Sequence, residues 1–437
     1  MKKAVFSLSS SLELDHALIL HKSLEKYALN FDLFHLYIGS PEKYERVKAA
    51  MPASVNVVTV DRLPIKHGNW KNLAFQYDLN EFSICLKPFV FDYLFRQGYQ
   101  AIYFLDPHIE IYAPLKELED FLDQYEAILQ PHIDHPLPLD GFSPTNEEIL
   151  NNGPYSSHFI GLKLSDESSQ FLTFWKNCSA TTCLKKIGTQ DDCIDHRWIS
   201  FIPSFVAKTK ILRDSTQMLS IWNLSQNEMI QTSGEPYNTS KGPLVCFNFA
   251  HIHEEDYLHG SRTSLKELNS PLNYLIKSHR ERLIKNRKNL EHFQKYELNY
   301  FSDGSLIDPE DRVYYFHMHD EQKKDLKNPF DQKEFFINSK NKDPLYKIKL
   351  IKEIELQLYR PLFELEFQKK MENIQNEHQE TVHTMRIYYE NELQKTIQTV
   401  LEENIYNSFT WRIGKLVLSP LKLIKKILCK LSLSKQH

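Results

Sequence analysis

A carboxylate and an imidazole separated by one proline form the first pattern in this sequence that could do chemistry. Asp106-Pro107-His108 follows an apolar run at residues 101–105, which predicts a buried strand, and residues 109–112 alternate as a half-buried strand does. The pair therefore lies just past the carboxyl end of a core strand, where α/β sheets bind ligands. It could bind a divalent metal, and its nitrogen and oxygen donors favour Mn²⁺ over Mg²⁺. The alternative is a plain turn with the histidine exposed.

Four further polar residues lie near the ends of predicted elements, where they could contact a nucleoside or a diphosphate. Ser7 and Ser9 lie in and just after the first strand, and they suit a nucleoside contact as well as a plain turn. Lys87 lies in a helix predicted over residues 81–97 and could reach a diphosphate, or could extend into solvent at the surface. His132 directly follows a later strand and is expected to face the same crevice.

The elements that must position these residues alternate between strand and helix. Strands are predicted at residues 4–8, 33–38 and 54–60 with helices between them, an order typical of a parallel α/β sheet. The helix over residues 81–97 contains Pro88, which predicts a kink or the start of a new helix. Later strands are predicted at residues 101–105, 127–130, 155–164, 205–212 and 244–249. The predicted fold class is therefore α/β.

The composition excludes several classes of protein. The chain has 437 residues, of which 41% are hydrophobic, enough for one large catalytic domain with appendages. With only 12 glycines and no P-loop or dinucleotide fingerprint, a Gly-rich phosphate loop is not expected, and a net charge of −4 gives no indication of nucleic-acid binding. Six scattered cysteines without a CxxC pair predict reduced thiols in a cytosolic protein. We expect neither a signal peptide nor a membrane span of roughly 18 apolar residues.

A resemblance to a known family is carried by several motifs in a fixed order over about residues 1–260. The motifs are Lys87-Pro88 before a strand that ends in Leu105-Asp106-Pro107, Gln130-Pro131-His132, HFIGLKL from residue 158, Asp195-His196-Arg197-Trp198-Ile199, Ile211-Leu212-Arg213-Asp214 and Trp222-Asn223-Leu224. In these motifs the chain resembles a group of bacterial GT-A-fold glycosyltransferases related to glycosyltransferase family 8. The resemblance implies a Rossmann-like GT-A domain, a nucleotide-sugar donor such as a UDP-hexose, and retention of the anomeric configuration.

Three positions depart from the pattern of that family, and all three touch its active site. The second acid of the family's Asp-x-Asp motif is His108 here, although polypeptide N-acetylgalactosaminyltransferases bind the same metal through Asp-x-His. The family's Asp-Gln pair is Asp195-His196 here, so an amide that orients sugar hydroxyls becomes titratable. By this resemblance Asp195 is the candidate base or sugar-stabilising group on the acceptor side. The family's later histidine is replaced, and His251 or His253 could supply a third metal ligand from nearby.

The composition changes beyond residue 260. Residues 261–350 are polar and charged, which predicts a helical extension or linker. Residues 351–404 carry apolar side chains three to four positions apart, which predicts a long helix that either pairs as a coiled coil or folds back. Residues 405–437 contain seven lysines and arginines, one tryptophan and no acid. They predict a basic amphipathic segment on an anionic membrane surface, with a helix docked on the catalytic domain as the alternative.

Together these patterns predict a metal-dependent glycosyltransferase that moves a hexose from a nucleotide sugar to a glycan or lipid-linked acceptor. It would act in bacterial surface polysaccharide synthesis, in the cytoplasm and peripheral on the inner membrane face. A different class of protein is also open, namely a degenerate GT-A domain that acts as a non-catalytic, membrane-associated scaffold through the long helix. A host or secreted protein as the acceptor is a third possibility.

Overall fold

The computed structural model describes most of the first 342 residues. The described ranges are 1–65, 70–140, 142–182, 194–227, 229–230, 237–250, 252, 270–293, 295–342, 390–396 and 399. The chain divides into two compact units, one of residues 1–186 with 190–346 and one of residues 187–189 with 347–437. The first unit contains the sheet and the candidate site.

Little of the second unit is described. Residues 390–396 and 399 are helical. The rest of the predicted long helix at 351–404 and all of the predicted basic segment at 405–437 lie outside the described residues, so both stay predictions. In the part of the chain that the structure describes, no helix combines the length and the apolar character needed to cross a membrane.

The described strands of the first unit form three sheets. They are β1 (Lys3–Ser10), β2 (Asp32–Ile38), β3 (Val55–Thr59), β4 (Ala101–Leu105), β5 (Ile109–Ile111), β6 (Ala127–Pro131), β7 (Tyr155–Lys163), β8 (Thr209–Ile211), β9 (Met229–Ile230), β10 (Asn238–Thr239), β11 (Gly242–Pro243) and β12 (Cys246–Asn248). Seven strands make the central sheet in the order β3-β2-β1-β4-β7-β6-β8. β5 pairs with β12, and β9, β10 and β11 form a small third sheet.

One strand of the central sheet, β7, runs opposite to the other six. β3, β2, β1 and β4 run parallel, as the alternation of strands and helices predicts. β7 then runs antiparallel to both β4 and β6, and β8 is parallel to β6. The predicted α/β class is confirmed, and the reversed strand β7 is a feature that the sequence pattern did not indicate.

Helices cover both faces of this sheet. They are α1 (Leu14–Tyr27), α2 (Tyr44–Ala50), α3 (Trp70–Gln76), α4 (Leu79–Arg96), α5 (Lys116–Gln124), α6 (Asn146–Asn152), α7 (Asp166–Thr182), α8 (Ile194–Ile199), α9 (Ile202–Phe205), α10 (Ser270–Asn289), α11 (Pro309–His317), α12 (Asp320–Asp325) and α13 (Lys333–Lys342). α4 packs in one hydrophobic core and α1 in another. The sheet therefore separates two cores.

Strand β4 contributes to both cores, which explains its sequence. All five of its residues are buried. Ile102 and Phe104 belong to the core of α4, and Tyr103 and Leu105 belong to the core of α1. A strand covered on both faces has a continuous apolar run instead of alternation. Gly161 of β7 lies so close to Tyr103 that an added Cβ would stand 2.4 Å from its ring. This packing fixes where β4 ends.

Helix α4 is one element that runs through its proline. Asp78 and Glu81 form a capping box in which each backbone N–H donates to the other side chain, both at 2.8 Å. The helix then continues through Pro88 and is followed by Gly98 at φ +85°. A new helix start, one of the two alternatives predicted at Pro88, does not occur, because buried side chains before and after the proline pack the helix as one element.

The segment predicted as a polar extension, residues 261–350, differs most from its prediction. Its described helices belong to the same compact unit as the sheet. α10 contacts α1, and Phe336 of α13 stacks on Phe75 of α3 with ring centroids 4.9 Å apart. The buried side chains of α10 recur at helical spacing, at Leu272, Leu275, Ile276, His279, Leu283 and Asn286, but the basic and polar residues between them concealed this packing in the composition.

Arg312 of α11 joins this segment to α3. The guanidinium is buried and donates hydrogen bonds to the carbonyls of Ala74, Phe75 and Tyr77. The last carbonyls of a helix have no partner within the helix. Arg312 therefore satisfies the carboxyl end of α3 from a distant part of the chain.

Arg312→Met is expected to lower the free energy of unfolding by about 2–4 kcal/mol, because buried carbonyls would lose their donor. Chemical denaturation followed by circular dichroism measures this. Arg96→Met is the matched control, since Arg96 is half exposed and its ion-pair partner among the described residues is Asp92, also on α4. Its loss is expected to cost less than about 1 kcal/mol. Equal losses for the two variants would contradict the capping role of Arg312.

Candidate active site at the end of strand β4

Asp106 is held at the carboxyl end of β4 by hydrogen bonds of its backbone and side chain. Its backbone N–H donates to the carbonyl of His158 on β7 at 2.9 Å. Its Oδ1 accepts the backbone N–H of His108 at 3.0 Å and lies 2.8 Å from Nδ1 of the same histidine. An aspartate that bonds the backbone two residues later forms a tight local turn. The carboxylate and imidazole that the sequence pairs are therefore in direct contact.

His108 lies inside the site and is not an exposed turn residue. Its side chain is 24% exposed, and its ring packs against that of His16 on α1 with centroids 4.3 Å apart. The backbone carbonyl of His108 accepts a hydrogen bond from Phe249 at 2.9 Å. The turn expected as the alternative does form, but it brings the imidazole against α1.

The charges of this pair support each other. Burial raises the pKa of Asp106, but the charge of His158 and the hydrogen bond from His108, with a smaller contribution from Lys87, outweigh burial and hold it far below its usual range. Burial lowers the pKa of His108, but the hydrogen bond and charge of Asp106 and the charge of Glu13 raise it overall. The geometry therefore favours a carboxylate beside a protonated imidazole in the metal-free protein.

The donor set fits a cation that takes further ligands from its substrate. A histidine that binds a metal through one ring nitrogen commonly gives its other N–H to a carboxylate. His108 makes such a contact between Nδ1 and Asp106, and a metal held by both residues would take the place of the proton between Oδ1 and Nδ1, which lie 2.8 Å apart. Among the described residues, no three His, Cys, Asp or Glu side chains are arranged to hold a metal. Diphosphate oxygens commonly complete such a site around Mg²⁺.

Lys87 of α4 lies beneath the site. Its side chain is buried, so it does not extend into solvent. Nζ donates to the carbonyl of Ser157 at 3.2 Å and to its hydroxyl at 3.3 Å, and it lies 4.8 Å from the ring centroid of Phe104. Because Lys87 also lowers the pKa of Asp106, its charge acts on the carboxylate. The structure thus brings Lys87 to the site, as the sequence suggested.

His132 and His158 line one narrow polar pocket beside Asp106. The pocket is bounded by the ends of β6 and β7 and also by Asn248. Trp222 packs against the ring of His132 at 4.8 Å between centroids, and the side-chain amide nitrogen of Asn248 lies 2.7 Å from Nδ1 of His158. His132 therefore lines the same pocket as His158, and its contact with a donor stays a prediction.

His158 is a site residue that the sequence pattern did not indicate. It lies within the HFIGLKL strand motif, where it has no chemical partner nearby in sequence. Its relation to Asp106 arises from the antiparallel pairing of β4 and β7, which sets Leu105 opposite Phe159. The available signal was a polar residue directly before the apolar run at residues 159–162.

Ser7 and Ser9 lie in the interior instead of at the mouth of the site. The hydroxyl of Ser7 is 2.8 Å from Nε2 of His21 and 3.0 Å from Nδ1 of His35, and that of Ser9 is 3.3 Å from Nε2 of His35. All four side chains are buried, and burial lowers the pKa of His21 to about 3. These contacts give both serines a structural role between β1, β2 and α1.

The remaining predicted residues are described in part or not at all. Asp195 and His196 belong to helix α8, which contacts β7, and the structure describes their backbone only. His251 and His253 lie outside the described residues. The roles predicted for these four residues therefore stay predictions.

Comparison with known proteins finds similarity of structure but none of sequence. The chain matches no protein-family model and no curated protein. An active-site mutant of LgtC aligns over 56% of this chain and 87% of its own at 11% identity and a TM-score of 0.33. The glycosyltransferase GlyE of Streptococcus pneumoniae TIGR4 aligns over 69% and 67% at 12% identity and 0.37. Core-mannan synthase A of Aspergillus fumigatus, in a Mn/GDP form, aligns over 49% and 73% at 11% identity and 0.31. Similarities at these values assign no function to the chain.

In metal-free protein, Asp106→Asn is expected to lower the pKa of His108, because the neutral amide no longer favours the protonated ring. A pH titration of the histidine ring resonances by NMR measures the change. Since the folded-state pKa of His108 is raised above its unfolded value of about 6.5, its stabilising contribution is fully present below that pH and is lost as pH rises through the raised value. Asp123→Asn on α5 serves as the control. An unchanged titration in Asp106→Asn would contradict the pairing.

Proposed function

We propose that this chain is a metal-dependent glycosyltransferase with a GT-A domain, which takes a hexose from a nucleotide-diphosphate sugar such as a UDP-hexose. The observation that carries the proposal is the convergence of Asp106, His108, Lys87 and His158 at the carboxyl end of β4. One carboxylate surrounded by three groups that can be cationic is a suitable environment for a diphosphate and its counter-ion.

The reaction breaks the bond between the anomeric carbon and a diphosphate oxygen. Negative charge then grows on the diphosphate while the anomeric carbon becomes cationic. A Mn²⁺ or Mg²⁺ ion held by Asp106 and His108 would neutralise part of that charge. The ammonium of Lys87 is already placed within electrostatic range of Asp106 and would stabilise the same developing charge. His132, which lines the narrow adjoining pocket together with His158, is proposed as a contact of the nucleotide-sugar donor.

On the acceptor side we propose Asp195 as the base or sugar-stabilising residue and His196 as the group that orients sugar hydroxyls. Their support is the motif resemblance and the contact of α8 with β7, the strand that carries His158. His251 or His253 would complete the metal site. A retaining outcome is part of the same proposal.

The proposed acceptor is a glycan or lipid-linked saccharide of a bacterial surface polysaccharide. The enzyme would work in the cytoplasm, peripheral on the inner membrane face, where residues 405–437 with seven basic side chains and no acid would bind anionic lipid. The long helix at 351–404 would join copies of the chain through a coiled coil.

One observation favours a second function. Within the site Asp106 is already hydrogen-bonded to His108, and the described residues offer no third protein ligand for a metal. A degenerate domain with this pair locked as a turn would serve as a non-catalytic, membrane-associated scaffold. Such a protein would bind no nucleotide diphosphate in the presence of Mn²⁺.

Asp106→Ala is expected to reduce nucleotide-sugar hydrolysis and transfer at least about 10²-fold, because the developing diphosphate charge loses its cation. The measurement is turnover across a panel of UDP- and GDP-hexoses with Mn²⁺. Asp106 lies at the mouth of a strand and adds little to the cores, so circular dichroism should show a folded variant.

Asp123→Ala is the matched control for that experiment, because Asp123 is an exposed acid on α5 whose partner is Lys3. It is expected to leave turnover unchanged. If wild-type protein neither turns over any donor nor shows a Mn²⁺-dependent thermal shift with UDP or GDP, the scaffold function is supported and the enzyme proposal is wrong.

Lys87→Met is expected to weaken the binding of a nucleoside diphosphate by about tenfold to a hundredfold, the effect of losing one charge-assisted hydrogen bond. Affinity for the free nucleoside should change little, since Lys87 is proposed to contact the diphosphate alone. Calorimetric titrations with UDP and uridine, or GDP and guanosine, measure the difference. Lys176→Met on α7, which breaks an ion pair with Asp92 of α4, is the control. Parallel losses for nucleoside and diphosphate would indicate a structural role for Lys87.

A further inference from the structure

A second pocket lies between helices α1 and α10, and the candidate active site does not use it. Its volume is about 320 Å³. Among the described residues, four cationic side chains line it, namely Lys22, Lys26, Arg282 and Lys285. The acidic side chain in its wall is Glu110 on β5. Four positive groups and one carboxylate leave three net positive charges around one small cavity.

Glu110 does not neutralise the cavity as a whole, because its charge is used within the wall. Its Oε2 accepts hydrogen bonds from Arg282 at 2.7 Å and from the hydroxyl of Tyr112 at 2.8 Å, and it lies 2.9 Å from Nδ1 of His279. Burial raises the pKa of Glu110, but its contacts with His279 and Arg282 outweigh burial and lower it overall. The carboxylate therefore stays ionised and fixes the guanidinium of Arg282 at the pocket.

Two of the other cations, Lys22 and Lys285, are available for a ligand. Lys22 and Lys285 are exposed, and within the described ranges neither ammonium makes an ion pair or a hydrogen bond. Nε of Arg282 is buried and has no hydrogen-bond acceptor among the described residues. Like charges that converge on one cavity repel each other unless an anion joins them. The pocket thus has more hydrogen-bond donors than acceptors and more positive than negative charge.

We propose that this pocket binds a phosphate-bearing ligand with a saccharide-sized or glycerol-sized body. An arginine and lysines around one cavity match the several oxygens and the double charge of a phosphate better than a single carboxylate. Tyr27 and Tyr112 in the same wall offer ring surface to the body of the ligand. The volume is at the lower end of the range for small-molecule sites.

The same chemistry could come from a phosphorylated sugar or from a lipid headgroup, and the two sources are separable by experiment. The full-length chain is titrated by calorimetry with inorganic phosphate, a hexose phosphate and the matching neutral hexose, with a chelator present. In parallel it is sedimented with phosphatidylcholine vesicles with and without phosphatidic acid. Lys22→Gln/Lys285→Gln is the pocket variant, and both substitutions are exposed, so the fold should be retained. Lys48→Gln/Lys208→Gln, which changes two exposed lysines elsewhere, is the control.

Binding of hexose phosphate that falls at least about tenfold in the pocket variant but not in the control supports the proposal with a soluble ligand. Loss of sedimentation with phosphatidic acid vesicles in the pocket variant alone supports it with a lipid headgroup. Equal behaviour of the two variants in both arms overturns it. Phosphate binding that is lost in Lys87→Met and kept in the pocket variant also overturns it, because the anion then occupies the candidate active site. That last result leaves the proposed glycosyltransferase function intact.

Discussion

The ionised carboxylate of Asp106 at the edge of a buried sheet is the constraint on which the site depends. Removing a carboxylate from water is costly unless cationic groups and hydrogen bonds compensate for it. The compensation comes from three separate elements, namely the turn after β4, strand β7 and helix α4, through His108, His158 and Lys87. The carboxylate therefore requires those elements to be docked together. Because β4 is buried on both faces, it cannot slide to relieve that requirement.

Helix α10, which is distant in sequence from Asp106, also contacts the elements around the site. Its His279 stacks on Phe249 at 3.7 Å between centroids and contacts Glu110, and its Asn286 donates to the backbone carbonyl of Asp15 at 3.0 Å. These contacts tie β5, the segment after β12 and the first turn of α1 to one helix. His16 of that first turn packs on His108, so α10 helps to hold the imidazole of the site in place.

Features that depend on residues close together in sequence were predictable, and features that depend on distant residues were not. The strands from β1 to β4 were predictable because an apolar run and its flanking turns are local, and the pairing of Asp106 with His108 needs a separation of only two residues. The role of His158 was not predictable, because its position beside Asp106 depends on the antiparallel register of β7. Arg312 was missed for a similar reason. It has no local pattern, and its role depends on carbonyls more than two hundred residues earlier.

The helix dipole gives an alternative explanation for part of the positive charge between α1 and α10. Lys26 lies in the last turn of α1 and Asp15 in its first turn, which is the distribution that the dipole favours. That effect falls off within the terminal turn, so it does not account for Lys22. It accounts even less for Lys285 and Arg282, which precede the basic pair in the last turn of α10. Lysines that served only the two dipoles would have no reason to converge from two helices on one cavity. A shared anionic ligand gives that convergence a physical cause.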